Sequence, residues 1–205
     1  MARWTELEID IPPIETGGGW GLKLDLVNPW AWQDSVFSPD ECDEIIEMGE
    51  RQNLIRGGTF DQRRDNYRDS FVTFLYPSIV TEWVFRRIAA TAQMFTDRYF
   101  GFDLTGIQEG IQFTRYNAPG EHYHEHVDAS YGTATRKLSL VVQLSDPADY
   151  EGGSLELLHL AEPTVMSSKR GTALAFPSYT LHRVTPVTSG TRYSLVVWVT
   201  GPPFR

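Results

Sequence analysis

Apolar residues recur along the first half of the chain with two different periods. Ser38-Pro39-Asp40-Glu41 places a hydroxyl, a proline and a glutamate just ahead of Cys42, Ile45, Ile46 and Met48. A serine cap with a glutamate three residues later satisfies two backbone N–H groups that a helix start would otherwise leave bare, and proline suits the first helical position. The spacing predicts a helix over 39–51. Residues 70–76, SFVTFLY, are β-branched and aromatic, and Pro77 ends the strand they predict. Beyond it Val80, Trp83, Val84, Ile88 and Ala92 return to the helical period, so an amphipathic helix is expected over 78–98. After Gly101 that period disappears. Short β-rich runs follow at 107–117, 121–127, 136–145, 154–160, 163–166, 171–176, 181–187 and 191–200, broken by Gly, Pro, Asn and Asp. The expected fold is mainly β with supporting helices, a sandwich or jelly roll closed against the earlier helices.

Composition sharpens this picture. The 205 residues, 41% of them hydrophobic, suffice for a full core without disulfide or metal staples. No internal repeat and no linker divides the chain, so 1–205 reads as one domain: an arm and helical support over 1–100, then a β core over 101–205. Pro12, Pro13 and Gly17 to Gly19 give the arm an irregular character. A net charge of −9 without any basic run argues against nucleic acid as a partner. The single cysteine, Cys42, excludes an intramolecular disulfide and a cysteine-based zinc cage, and its helical spacing with Ile45 marks it as a core thiol. Charges in MARWTELEIDIPP, where a secretion signal needs apolar residues, and the lack of a long apolar run lead to the expectation of a cytoplasmic protein with no membrane partner.

All five histidines follow residue 121, and HYHEHVD crowds His122, His124, His126 and Asp128 onto one face if the segment is a regular strand. A histidine and an aspartate two residues apart are weak evidence alone. A distant His182, followed ten residues on by Arg192 in a half-buried strand, makes the set more specific. Non-haem iron(II) is held by two imidazoles and one carboxylate with open positions remaining, and His126, Asp128 and His182 fit that requirement. Zinc would fit the same three donors but leaves Arg192 unexplained. A His124–His126 pair could serve a cupin-like site, but the further ligands such a site needs are not found. His122, His124 and His159 read as solvated or structural, and Arg136, Lys137, Lys169 and Arg170 as solvated turn charges.

The segment 38–205 resembles the prolyl 4-hydroxylase-like (PKHD-type) branch of the iron(II)/2-oxoglutarate-dependent dioxygenases. The resemblance is carried by Tyr116, Gly120, Tyr123, His126 and Asp128 within RYNAPGEHYHEHVD, by the double glycine of LSDPADYEGGSLEL, and by His182, Pro186, Gly190, Arg192 and Trp198 within FPSYTLHRVTPVTSGTRYSLVVW. It implies a double-stranded β-helix (jelly roll) core backed by N-terminal α-helices. It implies His126, Asp128 and His182 as ligands of Fe(II), with Arg192 holding the far carboxylate of 2-oxoglutarate, Tyr116 and Ser194 beside it, and Tyr123 in the active site. The implied reaction consumes O2, releases succinate and CO2 and hydroxylates an unactivated C–H bond, with peptidyl proline the favoured substrate and ascorbate a candidate reductant. Asp128 favours hydroxylation over the halogenation seen where the carboxylate is missing. A free amino acid or small metabolite is the alternative substrate; repair of alkylated bases fits the −9 charge poorly. A jelly-roll binding module without redox chemistry is the alternative function.

On strict alternation Tyr123 faces away from His126 unless the strand bulges. The polar run RGGTFDQRRDNYRDS at 56–70 reads as a lid or binding loop, with Arg64, Tyr67 and Arg68 as substrate contacts and Trp198 as a wall of the site.

Overall fold

The computed structural model describes residues 27–58, 67–129 and 132–202. In chain order its elements are β1 (Ala31–Gln33), α1 (Pro39–Glu50), β2 (Ile55–Arg56), β3 (Arg68–Asp69), β4 (Phe71–Leu75), α2 (Glu82–Phe95), β5 (Gly106–Ile107), β6 (Ile111–Asn117), β7 (His122–His126), β8 (Arg136–Gln143), β9 (Tyr150–Gly152), β10 (Leu155–Leu157), β11 (Thr164–Val165), β12 (Ala173–Pro177), β13 (His182–Val184) and β14 (Val187–Thr200). A larger antiparallel sheet runs β1-β12-β8-β14-β6-β4-β2, with β5 and β9 also on β14, and faces a smaller one ordered β11-β10-β13-β7-β3. This is the jelly-roll arrangement, mostly β with two helices. Pro12, Pro13, Gly17 to Gly19 and Arg64 lie outside the described residues. No helix among the described residues is long and apolar enough to cross a membrane.

The start of α1 follows the sequence: Glu41 N donates to Ser38 Oγ at 3.2 Å while Ser38 N donates to the Glu41 carboxylate at 2.8 Å. Its buried face presents Cys42, Ile45, Met48 and Gly49. Cys42 is fully buried, and burial above all pushes its thiol up to about 11, so it is an unreactive core residue. The second helix is shorter than its period suggests. Thr81 Oγ1 donates to the Tyr76 carbonyl at 2.6 Å and bonds Ser78 Oγ at 3.0 Å, so these hydroxyls organise a turn that competes with the first helical residues. At the other end the chain widens into a π-helical turn, Thr96–Phe100, closed by Gly101 in the left-handed conformation.

Alternation along β14 divides the interior in two. Leu195, Val197 and Val199 join Leu138, Leu140, Ile45, Val84, Ile88 and Phe95 in a core between the larger sheet and the helices. Arg192, Ser194, Val196 and Trp198 point the other way, into the space between the sheets. One end of that space is closed by a second apolar cluster that includes Leu157, Leu174, Phe176 and Val187. The rest is a cavity of about 710 Å³, the size of a small-molecule site. A one-residue slip of β14 would send the whole polar face into the helix-backed core, which is why register here is strongly specified.

Candidate metal centre

Residues from β7, the turn after it and β13 converge at the cavity wall. Ligating atoms of His126, Asp128 and His182 all lie within 4.8 Å of one another, and they form the only such group among the described residues. Cross-strand pairing sets His182 opposite His126, and Val184 opposite Tyr123. Three residue steps on β7 therefore span two on β13, a bulge with one extra residue. That bulge corrects the strict-alternation expectation. The Tyr123 ring stacks on the His126 ring at 3.5 Å between centroids, on the same side of the strand, and both line the cavity.

The bulge also separates the other histidines from the cluster. His122 is buried, with Nδ1 at 2.7 Å from the Gly120 carbonyl, so it is not the solvated residue that composition suggests. His124 is exposed and its ring lies against His122 and Tyr67. His159 is exposed, far along the chain from this wall.

Backbone carbonyls set both imidazole tautomers. His126 Nδ1 lies 2.7 Å from the His124 carbonyl and His182 Nδ1 lies 2.9 Å from the Thr180 carbonyl. A carbonyl only accepts, so each Nδ1 carries a proton and each ring turns its Nε2 toward the site. Those nitrogens point at Asp128: His126 Nε2 is 3.9 Å from Oδ1 and His182 Nε2 is 3.6 Å from Oδ2. Burial foremost, with His182 nearby, lowers His126 to about 3, so its ring is neutral at ordinary pH. Burial would push the Asp128 carboxyl up, but His182, His126 and a hydrogen bond from Ser139 outweigh it and hold the group below the usual range. The Nε2 atoms of two imidazoles thus converge on one buried carboxylate. Two imidazole nitrogens and one carboxylate within reach of one another are a donor set that fits an iron(II) ion.

Asp128 is held from behind. Ser139 Oγ donates to Oδ2 at 2.6 Å and bonds Ser178 Oγ at 2.9 Å, while Asp128 N donates to the Ser178 carbonyl. Losing such an outer partner costs a metal site roughly 10- to 100-fold in affinity. Ser139→Ala is therefore expected to weaken iron(II) binding within that range with the fold intact, and an anaerobic metal titration checks it.

Arg192, on β14, is the cross-strand partner of Tyr116 on β6. It is 1% exposed, yet no carboxylate among the described residues pairs with it. Gln143 Oε1 accepts from Nη2 at 2.9 Å, Ser194 Oγ is 3.4 Å from Nη1, and Nε has no partner among the described residues. The Tyr116 ring centroid is 5.6 Å from the guanidinium carbon. Burial first of all raises the Tyr116 phenol, and burial takes Tyr123 up to about 12, so both are hydrogen-bond donors near neutral pH. Gly153 belongs to this site too. Its backbone is left-handed, and a Cβ there would sit 3.0 Å from Arg192 Cδ, so the double glycine lets the turn before β10 pass over the arginine. A buried cation without a counter-charge is costly, and an anionic ligand in the cavity removes the cost.

Sequence reasoning missed several contributors. Gln143 and Ser139 alternate with Val141 on β8, a polar pattern inside an apolar strand that could have marked them. Arg136 was expected in solvent. Instead its guanidinium lies 3.7 Å from the Trp198 ring centroid, forks onto Glu109 and donates to the Asp128 carbonyl at 3.2 Å. Lys137 is likewise buried, whereas Lys169 and Arg170 pair with Asp34 and Asp43. Within the 56–70 run Arg56 belongs to β2, and Arg68 and Asp69 form β3. β2 and β3 carry Arg56 and Arg68 to the cavity mouth, and Tyr67 lies beside them.

Comparison with known proteins agrees with this geometry. The family model of the 2OG-Fe(II) oxygenase superfamily matches residues 111–200, which contain all three candidate ligands and Arg192. A PKHD-type hydroxylase of Prochlorococcus marinus is 38% identical over 91 residues, covering 44% of this chain and 41% of the relative. One of Sphingopyxis alaskensis is 40% identical over 91 residues, covering 42% and 41%. The chain thus matches about two fifths of the length of these curated relatives. In fold it is similar to a Pseudomonas putida prolyl-4-hydroxylase, with a TM-score of 0.69 at 20% identity over 85% of this chain and 94% of that one. It is also similar to a Trichoplax adhaerens prolyl hydroxylase solved with a hypoxia inducible factor peptide fragment, with a TM-score of 0.71 at 15% identity over 84% of each chain.

Proposed function

We propose that this chain, a member of the 2OG-Fe(II) oxygenase superfamily, hydroxylates an unactivated C–H bond in an Fe(II)- and 2-oxoglutarate-dependent reaction. The substrate we favour is a peptidyl proline, in a prolyl 4-hydroxylase-type reaction. One observation carries the reading: a two-histidine, one-carboxylate donor set and an arginine without a counter-ion among the described residues share a single cavity.

Bound iron supplies the oxidising chemistry, in which O2 and 2-oxoglutarate are consumed, one oxygen atom enters the substrate, the other enters succinate, and CO2 leaves. The chain's own residues do the placing. His126 and His182 present fixed Nε2 lone pairs, and Asp128 contributes the negative charge, steadied by Ser139. Arg192 orients the far carboxylate of 2-oxoglutarate with a planar fork, and Tyr116 and Ser194 complete that end. Val196 and Trp198 make an apolar wall that keeps water from the reacting atoms. Tyr123 stacks on the metal ligand His126 and keeps its proton. Arg64, Tyr67 and Arg68 belong to the substrate side in this reading. Ascorbate is the candidate reductant for iron oxidised in unproductive turnover, and the lone buried cysteine suits a reducing, cytoplasmic setting.

The test is to load the protein anaerobically with Fe(II), add 2-oxoglutarate and O2, and measure succinate with and without proline-containing peptides. Succinate that rises with a peptide, together with a product heavier by one oxygen atom, is the expected result. Iron bound without any succinate would favour a non-catalytic binding module, and turnover only with a free amino acid would move the substrate to that class.

A further inference from the structure

Among the described residues four arginines line the cavity: Arg56, Arg68, Arg136 and Arg192. Two have their charge matched inside the protein, Arg56 by Asp69 and Arg136 by Glu109. Glu125, which also lines the cavity, is engaged by Arg183 at 2.7 Å. Arg68 and Arg192 are left without a carboxylate among the described residues. 2-Oxoglutarate answers one of these two cations; the other is unexplained.

Arg68 is held as a recognition group is held. Its Nε donates to Ser70 Oγ at 2.9 Å, and its guanidinium carbon lies 4.6 Å from the centre of the Tyr123 ring. Together these contacts fix the plane of the fork and, among the described residues, leave the N–H groups of both terminal nitrogens for a ligand. Gly57 allows the side chain to lie there, because a Cβ at that position would sit 2.6 Å from Arg68 Nε. The position is informative: Arg68 stacks on Tyr123, and Tyr123 stacks on His126, so the guanidinium stands two ring spacings from the candidate metal ligand. Its charge also reaches the buried Tyr116 phenol. A group bound to Arg68 is therefore only a few bonds from the atom that would be oxidised.

We propose that Arg68 binds a carboxylate of the prime substrate, carried on the residue to be hydroxylated or on its immediate neighbour. This rests on the oxygenase reading of the same cavity and narrows its substrate class. A planar, partly buried guanidinium matches a carboxylate with two parallel N–H···O bonds, stronger than contacts to a neutral carbonyl. The carboxylate has two sources, the α-carboxylate of a free or C-terminal residue and an acidic side chain next to the target.

The experiment uses protein loaded with Mn(II) and 2-oxoglutarate, which does not turn over, and reads the paramagnetic broadening of proline ring protons. N-acetylproline is compared with N-acetylprolinamide for the first source, and amidated tripeptides with Glu or Gln beside an internal proline for the second. In at least one pair the acid is expected to bind about tenfold more tightly than its neutral partner. Which pair discriminates identifies the source. Arg68→Gln should reduce the preference to within about twofold, Arg68→Lys should restore part of it, and Arg183→Gln, outside the cavity lining, should leave it intact. Equal binding of acid and neutral probes, or no binding of any acid, overturns the proposal. A loss of 2-oxoglutarate affinity in Arg68→Gln as large as the loss of acid binding also overturns it, because Arg68 would then serve the co-substrate. Succinate formation in the assay above alongside equal treatment of the probes would sink this inference alone, whereas absence of both iron and succinate would sink the parent reading.

Discussion

Replacing His126 or His182 by alanine, or Asp128 by asparagine, is expected to remove iron(II) binding, with a loss well beyond the roughly 10- to 100-fold that an outer partner contributes. The three groups act as one. Each imidazole is oriented by a backbone carbonyl so that its Nε2 faces the Asp128 carboxylate, and removing any of them leaves two donors for a metal that needs three protein ligands here. Anaerobic titration with Fe(II), or the ligand-field spectrum of Co(II) as a probe, measures the loss. His124→Ala is the control, since His124 is exposed and outside the cluster. Near-native metal affinity in the His182 variant would mean that the ion sits elsewhere.

Arg192→Met is expected to separate co-substrate binding from metal binding and from stability. Truncating one partner of a buried, hydrogen-bonded charge pair costs about 2–5 kcal/mol, so the dissociation constant for 2-oxoglutarate should rise from about 30-fold to several thousand-fold. Iron affinity should stay the same, because Arg192 touches Gln143, Ser194 and Tyr116 and none of the metal ligands. In the ligand-free protein the sign reverses. A 1%-exposed guanidinium without a counter-ion among the described residues gives way to an apolar chain of similar length, a change that is often neutral or stabilising. Calorimetry without 2-oxoglutarate should therefore show an unchanged or higher Tm for the variant, and with saturating 2-oxoglutarate a lower one than wild type. A variant destabilised in both states would show that Arg192 serves the fold rather than an anion.

Much of the site could be read in advance because it is built from strand periodicity. Arg192, Ser194, Val196 and Trp198 share a face through simple alternation, and β14 keeps that alternation where it crosses the cavity. His182 lies far from His126 in the chain, yet both belong to a recognisable residue pattern. What escaped notice depends on partners rather than on local sequence. Arg136 looks like a turn charge in the string, and it is Trp198, sixty-two residues away, that draws it inward. Tyr123 joins His126 on one side because of one extra residue in β7 relative to β13, and no signal within HYHEH announces it. The short strands β2 and β3 are similarly invisible. Two residues carry no period, and they count as strands only through the neighbours they bond.

By itself the sequence determined the capped first helix, the alternation of β14 and the residue types offered as ligands. The first two follow from side-chain chemistry at a fixed spacing along one segment, and the third from a residue pattern spread over two. The tertiary structure alone decided that Asp128 meets two imidazoles, that Ser139 and Gln143 support the charged groups, and that Arg68 is the second arginine facing the cavity without a matching carboxylate. Charge pairing across sheets depends on which strands lie side by side, and that is a property of the register rather than of any one stretch of residues.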